Sequence, residues 1–450
     1  MLAATVLGSG MTFLDSTIMN IATARIGDDF DAGFGALQWV VNAYTLVLSS
    51  LILLGGSLGD RLGRRRIFVI GTTWFAAASL GCALAPGVEV LIVLRAVQGV
   101  GAALMMPGSL AIISASFDPS ERARAVGLWS GLSGVASALG PVLGGWLVEN
   151  LSWRWAFGIN LPIAVVVVML ALRYVPESRS SVTRSREDYL GVVIIAAALG
   201  CLTYGTIQAG SSGWSGPALV LTVLGLVLLP VFALVESHVS SPLVPLRLFA
   251  DRAFSGTNLM TLLTYGALGA FFFLLVLELQ VAAGYGPLVA GLANLPVTVL
   301  LLLLSSRSGG LAARIGARLP LMVGPLIAAG GLALTMRIDQ VHRNYLVDIL
   351  PGVIVFAFGL VLIVAPLTAT VMATAPSDDV GIASGINNAV ARAGGLLAVA
   401  VLPPLAGLHS GSYRDPGTMV HGYRIVALCC IGLFVVSSLV IAVTVRARAE

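Results

Sequence analysis

The sequence predicts an all-α polytopic membrane protein. It has fourteen spans, arranged as two six-helix bundles plus two inserted transmembrane helices, with N and C termini cytoplasmic. Three observations carry this. The 450-residue chain has a mean hydropathy of +0.98 and only 10% charged residues, whereas soluble domains carry about 25%. Apolar runs long enough to cross a bilayer, about 20 residues each, recur along its whole length. A loop sequence, GSLGDRLGRRR at 56–66, returns as GGLAARIGARL at 309–319.

The runs fall at 2–23, 36–56, 67–85, 88–110, 125–148, 155–175, 188–208, 217–235, 254–283, 287–306, 319–337, 345–373, 381–408 and 422–445. Each is expected to be a helix, because lipid offers backbone amides no other partner outside a closed barrel. The run beside Met1 reads as a first span and not as a secretory signal: no basic residue precedes it, and Asp15 interrupts it.

Arginine orients the spans. All 25 basic residues are arginine. With the N-terminus inside, 17 lie on the cytoplasmic side: 61, 64, 65, 66, 122, 124, 173, 179, 184, 186, 247, 252, 307, 314, 318, 446 and 448. Six lie outside (25, 154, 337, 343, 414 and 424), and Arg95 and Arg392 lie within spans. That bias fixes the orientation. The net charge of +4 is therefore a topology signal, and no nucleic-acid partner is expected. Cys82, Cys201, Cys429 and Cys430 sit in apolar runs, and the four histidines are scattered. Neither set has the spacing of a metal site or a disulfide framework.

The repeat sets the domain organisation. At an offset of 253, Gly56, Leu58, Arg61, Gly63 and Arg65 fall on Gly309, Leu311, Arg314, Gly316 and Arg318. At an offset of 254, Gly127, Ser130, Gly131 and Gly140 fall on Gly381, Ser384, Gly385 and Gly394. Paired segments run in the same direction, which is a parallel repeat about an axis along the membrane normal. The expected divisions are an N-terminal bundle at 1–178, a linker with two extra helices at 179–253, and a C-terminal bundle at 254–450.

A charged side chain in a span costs about 2.5–3.5 kcal/mol on insertion scales and needs a partner or a wet cavity. Asp15 lies on a stripe with Thr5, Ser9, Thr12, Ser16, Asn20 and Thr23, whose steps of three and four share one helical face. Span 2 carries Gln38, Asn42, Thr45 and Ser49; span 4 carries Arg95 and Gln98; span 13 carries Ser384, Asn387, Asn388 and Arg392. At 1.5 Å per residue, Asp15 lies roughly 20 Å from the inner face and Arg95 roughly 10 Å from the outer face. Both fall in the outer half of a core about 30 Å thick, so the two are candidates to pair. Desolvation favours a neutral acid and a nearby guanidinium favours a charged one, so a moving arginine offers a route to proton coupling. Glu278, near the outer end of span 9, reads equally as a solvated end or as a second protonatable site. Candidate cavity residues are Asn42, Tyr44, Trp129, Gln280, Asn387, Asn388 and Arg392. In span 5, Gly127, Gly131, Gly140, Gly144 and Gly145 leave a smooth face for close helix packing, and Pro141 removes a backbone donor.

These segments resemble the major facilitator superfamily, and within it the fourteen-span drug:proton antiporter family. LDSTIMNIA (14–22), GSLGDRLGRRR (56–66), LRAVQGVGAA (94–103), LGPVLGGWL (139–147) and WRWAFGINLPI (153–163) resemble its motifs in spans 1, 4, 5 and 6 and in loop 2–3, in order. The resemblance implies a major-facilitator fold and proton-driven export. It implies Asp15 and Arg95 in the coupling machinery, and a cytoplasmic gate of Gly56, Asp60, Arg61, Gly63 and Arg64. It also implies an antiporter motif at Gly140, Pro141, Gly144 and Gly145. Two positions depart from the family: Glu278 stands where a tyrosine or similar residue is expected before Gln280, and Ala313 stands where the second loop would carry an acid. Because the repeat brings the start of span 13 to the same membrane face, Asp60 docking at that helix N-terminus near Gly381 would latch the cytoplasmic side.

The expected function is export of small amphipathic or lipophilic compounds by alternating access in a bacterial cell membrane, by a secondary transporter and not an enzyme. Protons are the coupling ion, no cofactor or metal is expected, the bilayer is the surrounding partner, and the chain is expected to act as a monomer. A second reading is a dedicated exporter of one metabolite or self-made antibiotic. A membrane sensor or transferase is a remote third, since no loop carries the acidic or metal-ligating cluster a transferase would need.

Overall fold

The computed structural model describes residues 1–117, 119–179, 188–214, 216–239, 242–376, 379–409 and 412–445. Among them there is no strand, and helices run end to end. The helices are α1 (Leu2–Phe30), α2 (Phe34–Leu62), α3 (Arg64–Ala83), α4 (Val88–Ser116), α5 (Pro119–Asn150), α6 (Trp155–Gly158), α7 (Asn160–Tyr174) and α8 (Tyr189–Ser212). They continue with α9 (Gly216–His238), α10 (Arg252–Val281), α11 (Pro287–Leu292), α12 (Leu295–Ile315), α13 (Arg318–Thr335), α14 (Leu350–Thr374), α15 (Val380–Leu405) and α16 (Pro416–Thr444). Among the described residues, thirteen stretches are helical, long and apolar enough to cross a membrane. The remaining expected span, 125–148, falls on the 32-residue helix α5. Arg184, Arg186, Arg446 and Arg448 lie outside the described residues, as do the side chains of Arg122, Arg124 and Ser130.

Two of the expected spans are each built from two helices. Span 6 breaks at Ile159, between α6 and α7, and span 10 breaks at Ala293–Asn294, between α11 and α12. Pro296, at the start of α12, explains the second break, since a proline lacks the N–H with which a continuing helix would reach the carbonyl of Leu292. Span 12 begins with one π-helical stretch, Tyr345–Ile349, before α14.

The chain divides into two compact units, Met1–Gly200 with Val227–Leu243, and Cys201–Leu226 with Val244–Glu450. Within the first, α1 packs on α4, α5 and α7, while α4 packs on α2 and α3 and α3 on α7. Within the second, α10 packs on α14, α15 and α16, while α14 packs on α12 and α13 and α13 on α16. With α10 read as α1, α12 as α2, α13 as α3, α14 as α4, α15 as α5 and α16 as α7, the two patterns are the same. The internal sequence repeat is thus a repeat of helix packing.

The same glycines do the same work in each unit. A Cβ on Gly71 of α3 would stand 2.9 Å from the carbonyl oxygen of Gly101 in α4. A Cβ on Gly324 of α13 would stand 3.0 Å from that of Gly359 in α14. Between α2 and α3, Gly63 has φ 117°, and its repeat partner Gly316, which closes α12, has φ 88°. Only glycine adopts these angles without strain, which is why both copies of the loop keep it.

Candidate functional site: a buried carboxylate–guanidinium cluster

In the first unit, Asp15 and Arg95 are 0% and 1% exposed. Their placement follows from the packing: α4 lies between α1 and α2, and α7 lies across α1 and α3. Arg95 Nη1 donates to Asp15 Oδ2 at 2.6 Å and to Gln98 Oε1 at 2.6 Å, and its Nε donates to the carbonyl of Val40 at 3.0 Å. Gln98 Nε2 donates to Asp15 Oδ1 at 2.9 Å and to Ser79 Oγ at 2.8 Å. Asn160 Nδ2, at the start of α7, donates to the same Asp15 oxygen at 3.2 Å and to Ser79 Oγ at 3.3 Å. The guanidinium carbon sits 4.5 Å from the centre of the Tyr44 ring and 5.7 Å from that of Phe157, within reach of a cation–π attraction.

Asp15 therefore receives hydrogen bonds from three side chains on two other helices. Each carboxylate oxygen of Asp15 accepts from α4, and Oδ1 accepts from α7 as well, so the cluster ties three helices together through one side chain.

The glycines of α5 bear directly on this turn of α1. A Cβ at Gly140 would collide with Thr17 Oγ1 and lie 3.5 Å from the carbonyl of Leu14, and one at Gly144 would lie 2.8 Å from Ile18. Gly145 is buried too, and the helix is continuous through Pro141. The LGPVLGGWL segment holds α5 against the helix turn that carries Asp15.

At the loop between α2 and α3, Arg64 donates to Asp60 Oδ1 through Nε at 2.8 Å and Nη2 at 2.7 Å, and reaches the carbonyl of Ala111 at 3.3 Å. Glu177, after α7, accepts from the backbone N–H groups of Arg65 and Arg66 at 3.1 and 3.2 Å. These are N–H groups of the first turn of α3, which have no partner inside their own helix. Arg65 Nη1 donates to the carbonyl of Val175 at 3.2 Å, just past α7, and its repeat partner Arg318 donates to that of Ala442 at 2.7 Å, near the end of α16. Each copy of the loop is thus clamped to the last helix of its own bundle. Arg61 is exposed, and Gly56 packs beside Pro107 of α4, where an added Cβ would lie 3.4 Å away, at ordinary contact distance.

The remaining candidates separate. Tyr44 is buried against Arg95 and belongs to that cluster. Asn42 is buried, and its Nδ2 has no hydrogen-bond partner. Trp129 Nε1 donates to Ser9 Oγ at 3.2 Å. In the second unit, Asn387 Nδ2 donates to Thr261 Oγ1 at 2.7 Å and to Asn258 Oδ1 at 3.3 Å. Asn388, Arg392 and Gln280 are half-buried. Glu278 is 0% exposed, and neither of its carboxylate oxygens has a hydrogen-bond partner. Beyond it, in the turn after α13, Asp339 accepts from the N–H groups of Val341 and His342 at 2.8 and 2.7 Å and from Arg424 at 3.3 Å. The His342 N–H foremost, then the Val341 N–H and the His342 ring, hold its carboxyl down at about 2.

Sequence reasoning found Asp15, Arg95 and Gln98 but missed Ser79, Asn160 and Glu177. Asn160 had a signal, an amide at the start of an apolar run, inside the quoted WRWAFGINLPI. Ser79 had none, because a serine in a span ordinarily bonds its own helix, as Ser50 does with the carbonyl of Leu46.

Residues 5–399 match the Major Facilitator Superfamily. The chain belongs to that family. This facilitator is 36% identical over 403 residues to Multidrug resistance protein Stp of Mycobacterium tuberculosis (strain CDC 1551 / Oshkosh), across 89% of this chain and 74% of that protein. It is 34% identical over 456 residues to Puromycin resistance protein pur8 of Streptomyces alboniger, across 98% and 90% of the two chains. In fold it is similar to an auto-inhibited POT family peptide transporter, with a TM-score of 0.70 at 15% identity over 100% of this chain and 97% of that one. The facilitator is a transporter and not an enzyme. With its many helical spans and bacterial relatives, it is a multi-pass protein of the bacterial cell membrane that binds small-molecule substrates.

Proposed function

We propose that this facilitator is a proton-coupled antiporter that exports small amphipathic or lipophilic compounds by alternating access. The observation that carries the reading is the buried Asp15–Arg95–Gln98–Asn160 cluster. A carboxylate and a guanidinium in the core of a membrane bundle are expensive to insert, and here they touch at 2.6 Å, so a movement that parts them leaves a carboxylate free to take a proton. The relatives named for drug resistance support outward transport. Protons are the coupling ion, no metal or organic cofactor takes part, and the chain works as a monomer. The division into bundles at 1–178 and 254–450 joined by a two-helix linker belongs to the same reading. The coupling asks for nothing outside one chain.

The test uses proteoliposomes with an imposed pH gradient and an internal pH dye, with lipophilic cations and neutral drugs added in turn. Drug-triggered proton movement in wild type, abolished in Asp15→Asn, is the expected result. Movement that survives Asp15→Asn overturns the assignment of coupling to the cluster. The relative named for puromycin alone favours a second reading, a dedicated exporter of one antibiotic. That reading predicts silence to the whole panel except one compound.

A further inference from the structure

Glu278 lies three residues before the end of α10 and is completely buried. Both its carboxylate oxygens lack a hydrogen-bond partner. Buried acids ordinarily accept bonds from backbone or side-chain donors, as Asp15 does from three side chains.

The groups around it are accounted for on each element that packs against α10. From α16, Tyr423 donates instead to Thr335 Oγ1 at 2.8 Å. Arg424 is turned to the loop after α13, with Nε on the carbonyl of Met336 at 3.0 Å and Nη2 on Asp339 at 3.3 Å. His421 is exposed, and Cys430 Sγ is directed at the carbonyl of Ala267 at 3.6 Å. From α15 the one titratable residue is Arg392, whose charge bears on Tyr265, 13 residues back along α10 and so roughly 20 Å away. Helices α14 and α11 contain no titratable residue at all. The short turns that pack on α10 carry Arg247, paired with Asp379 at 2.9 Å, and Tyr413 and Arg414 of the connection between α15 and α16. The charges whose field reaches Glu278 are Arg424 and Asp339, and they already satisfy each other.

We propose that Glu278 is a second proton-binding site, held in its neutral, protonated form in this conformation. An ionised carboxylate with no donor and no counter-ion in contact is the species a low-dielectric interior excludes. An added proton removes the charge, forms one O–H bond and leaves nothing else to balance. The ligand is the proton itself. The site is independent of Asp15: it lies in the other unit, and its repeat position in the first unit is Arg25, not an acid. The protonation stands on this geometry alone. Its use as a coupling site rests on the antiport reading above.

Infrared spectroscopy of the purified full-length chain tests it. At pH 7 the wild type should show the carbonyl stretch of a protonated carboxyl. That band should vanish in Glu278→Gln and persist in Asp15→Asn. Incorporating carboxyl-13C glutamate into wild type should shift the same band, which tests the assignment even if the variant fails to fold. Absence at pH 7 of any band that moves with the glutamate label, or a band that Glu278→Gln leaves intact, overturns the proposal. Failure of the antiport reading looks different: drugs trigger no proton movement in wild type while the band remains.

Discussion

At the scale of single residues, the decisive contact is the 2.6 Å pair between Arg95 and Asp15. Removing one member of a buried pair strands the other, a loss of about 3–5 kcal/mol. Arg95→Met is therefore expected to lower the thermal denaturation midpoint in detergent sharply. Asp15→Asn combined with Arg95→Met should recover much of that loss, because an asparagine at 15 still accepts from Gln98 and Asn160 and carries no charge. Transport should be absent from both. A double variant no more stable than Arg95→Met would mean that packing of the arginine under Tyr44 and Phe157 matters more than the charge pair. The pair was legible in the sequence by depth: two charges in the outer half of two spans running in opposite directions. Its amide partners were less so. Asn160 reaches Asp15 because α7 lies across α1 and α3, and Ser79 reaches Gln98 because α3 packs on α4, and helix adjacency is not written in any one span. Glu278 was legible as an acid, while its isolation depends on where Tyr423 and Arg424 turn.

At the scale of elements, hydropathy located thirteen helices long and apolar enough to cross a membrane among the described residues, and the fourteenth expected run falls on α5, because a span must be apolar wherever it meets lipid. It did not find the ends. Helix α4 runs to Ser116 and α2 to Leu62, each six residues past the expected end, because backbone hydrogen bonding continues a helix beyond the length a bilayer requires. It also did not find the breaks at Ile159 and at Ala293–Asn294, where apolar composition continues through an interrupted backbone. Helix contact is the property that glycine spacing did announce. The α1–α5 contact depends on Gly140, where any Cβ meets Thr17, so Gly140→Ala overpacks a closed interface at about 1–3 kcal/mol. It is expected to lower the melting midpoint and suppress transport together. Gly432 in α16 has no atom within 4 Å of an added Cβ, and Gly432→Ala should be neutral or stabilising by up to about 1 kcal/mol of helix propensity. Equal effects of the two substitutions, in melting and in drug efflux, would show that α5 is not held by contact at Gly140.

At the scale of the whole molecule, the parallel repeat was the most legible feature, since two matches at offsets of 253 and 254 became two identical patterns of helix packing. The repeat conserves backbone contacts and not chemistry: the acid of span 1 has no counterpart in α10, and the acid of α10 has none in span 1. If both proposed proton sites are used, one in each unit, they set the charge balance of transport. A monovalent lipophilic cation leaving against two entering protons moves one net positive charge inward each cycle. A membrane potential of 100 mV then contributes about 2.3 kcal/mol, which at a tenfold change per 1.4 kcal/mol corresponds to roughly 50-fold accumulation. Wild type in proteoliposomes should thus concentrate such a cation under a potassium diffusion potential with no pH gradient. Glu278→Gln leaves one proton per cation, an electroneutral exchange. It should lose the potential-driven component and retain accumulation driven by a pH gradient. Asp15→Asn should lose both. If Glu278→Gln still responds to the potential alone as wild type does, the second proton is not carried at Glu278, and the electrical work of transport belongs to another group.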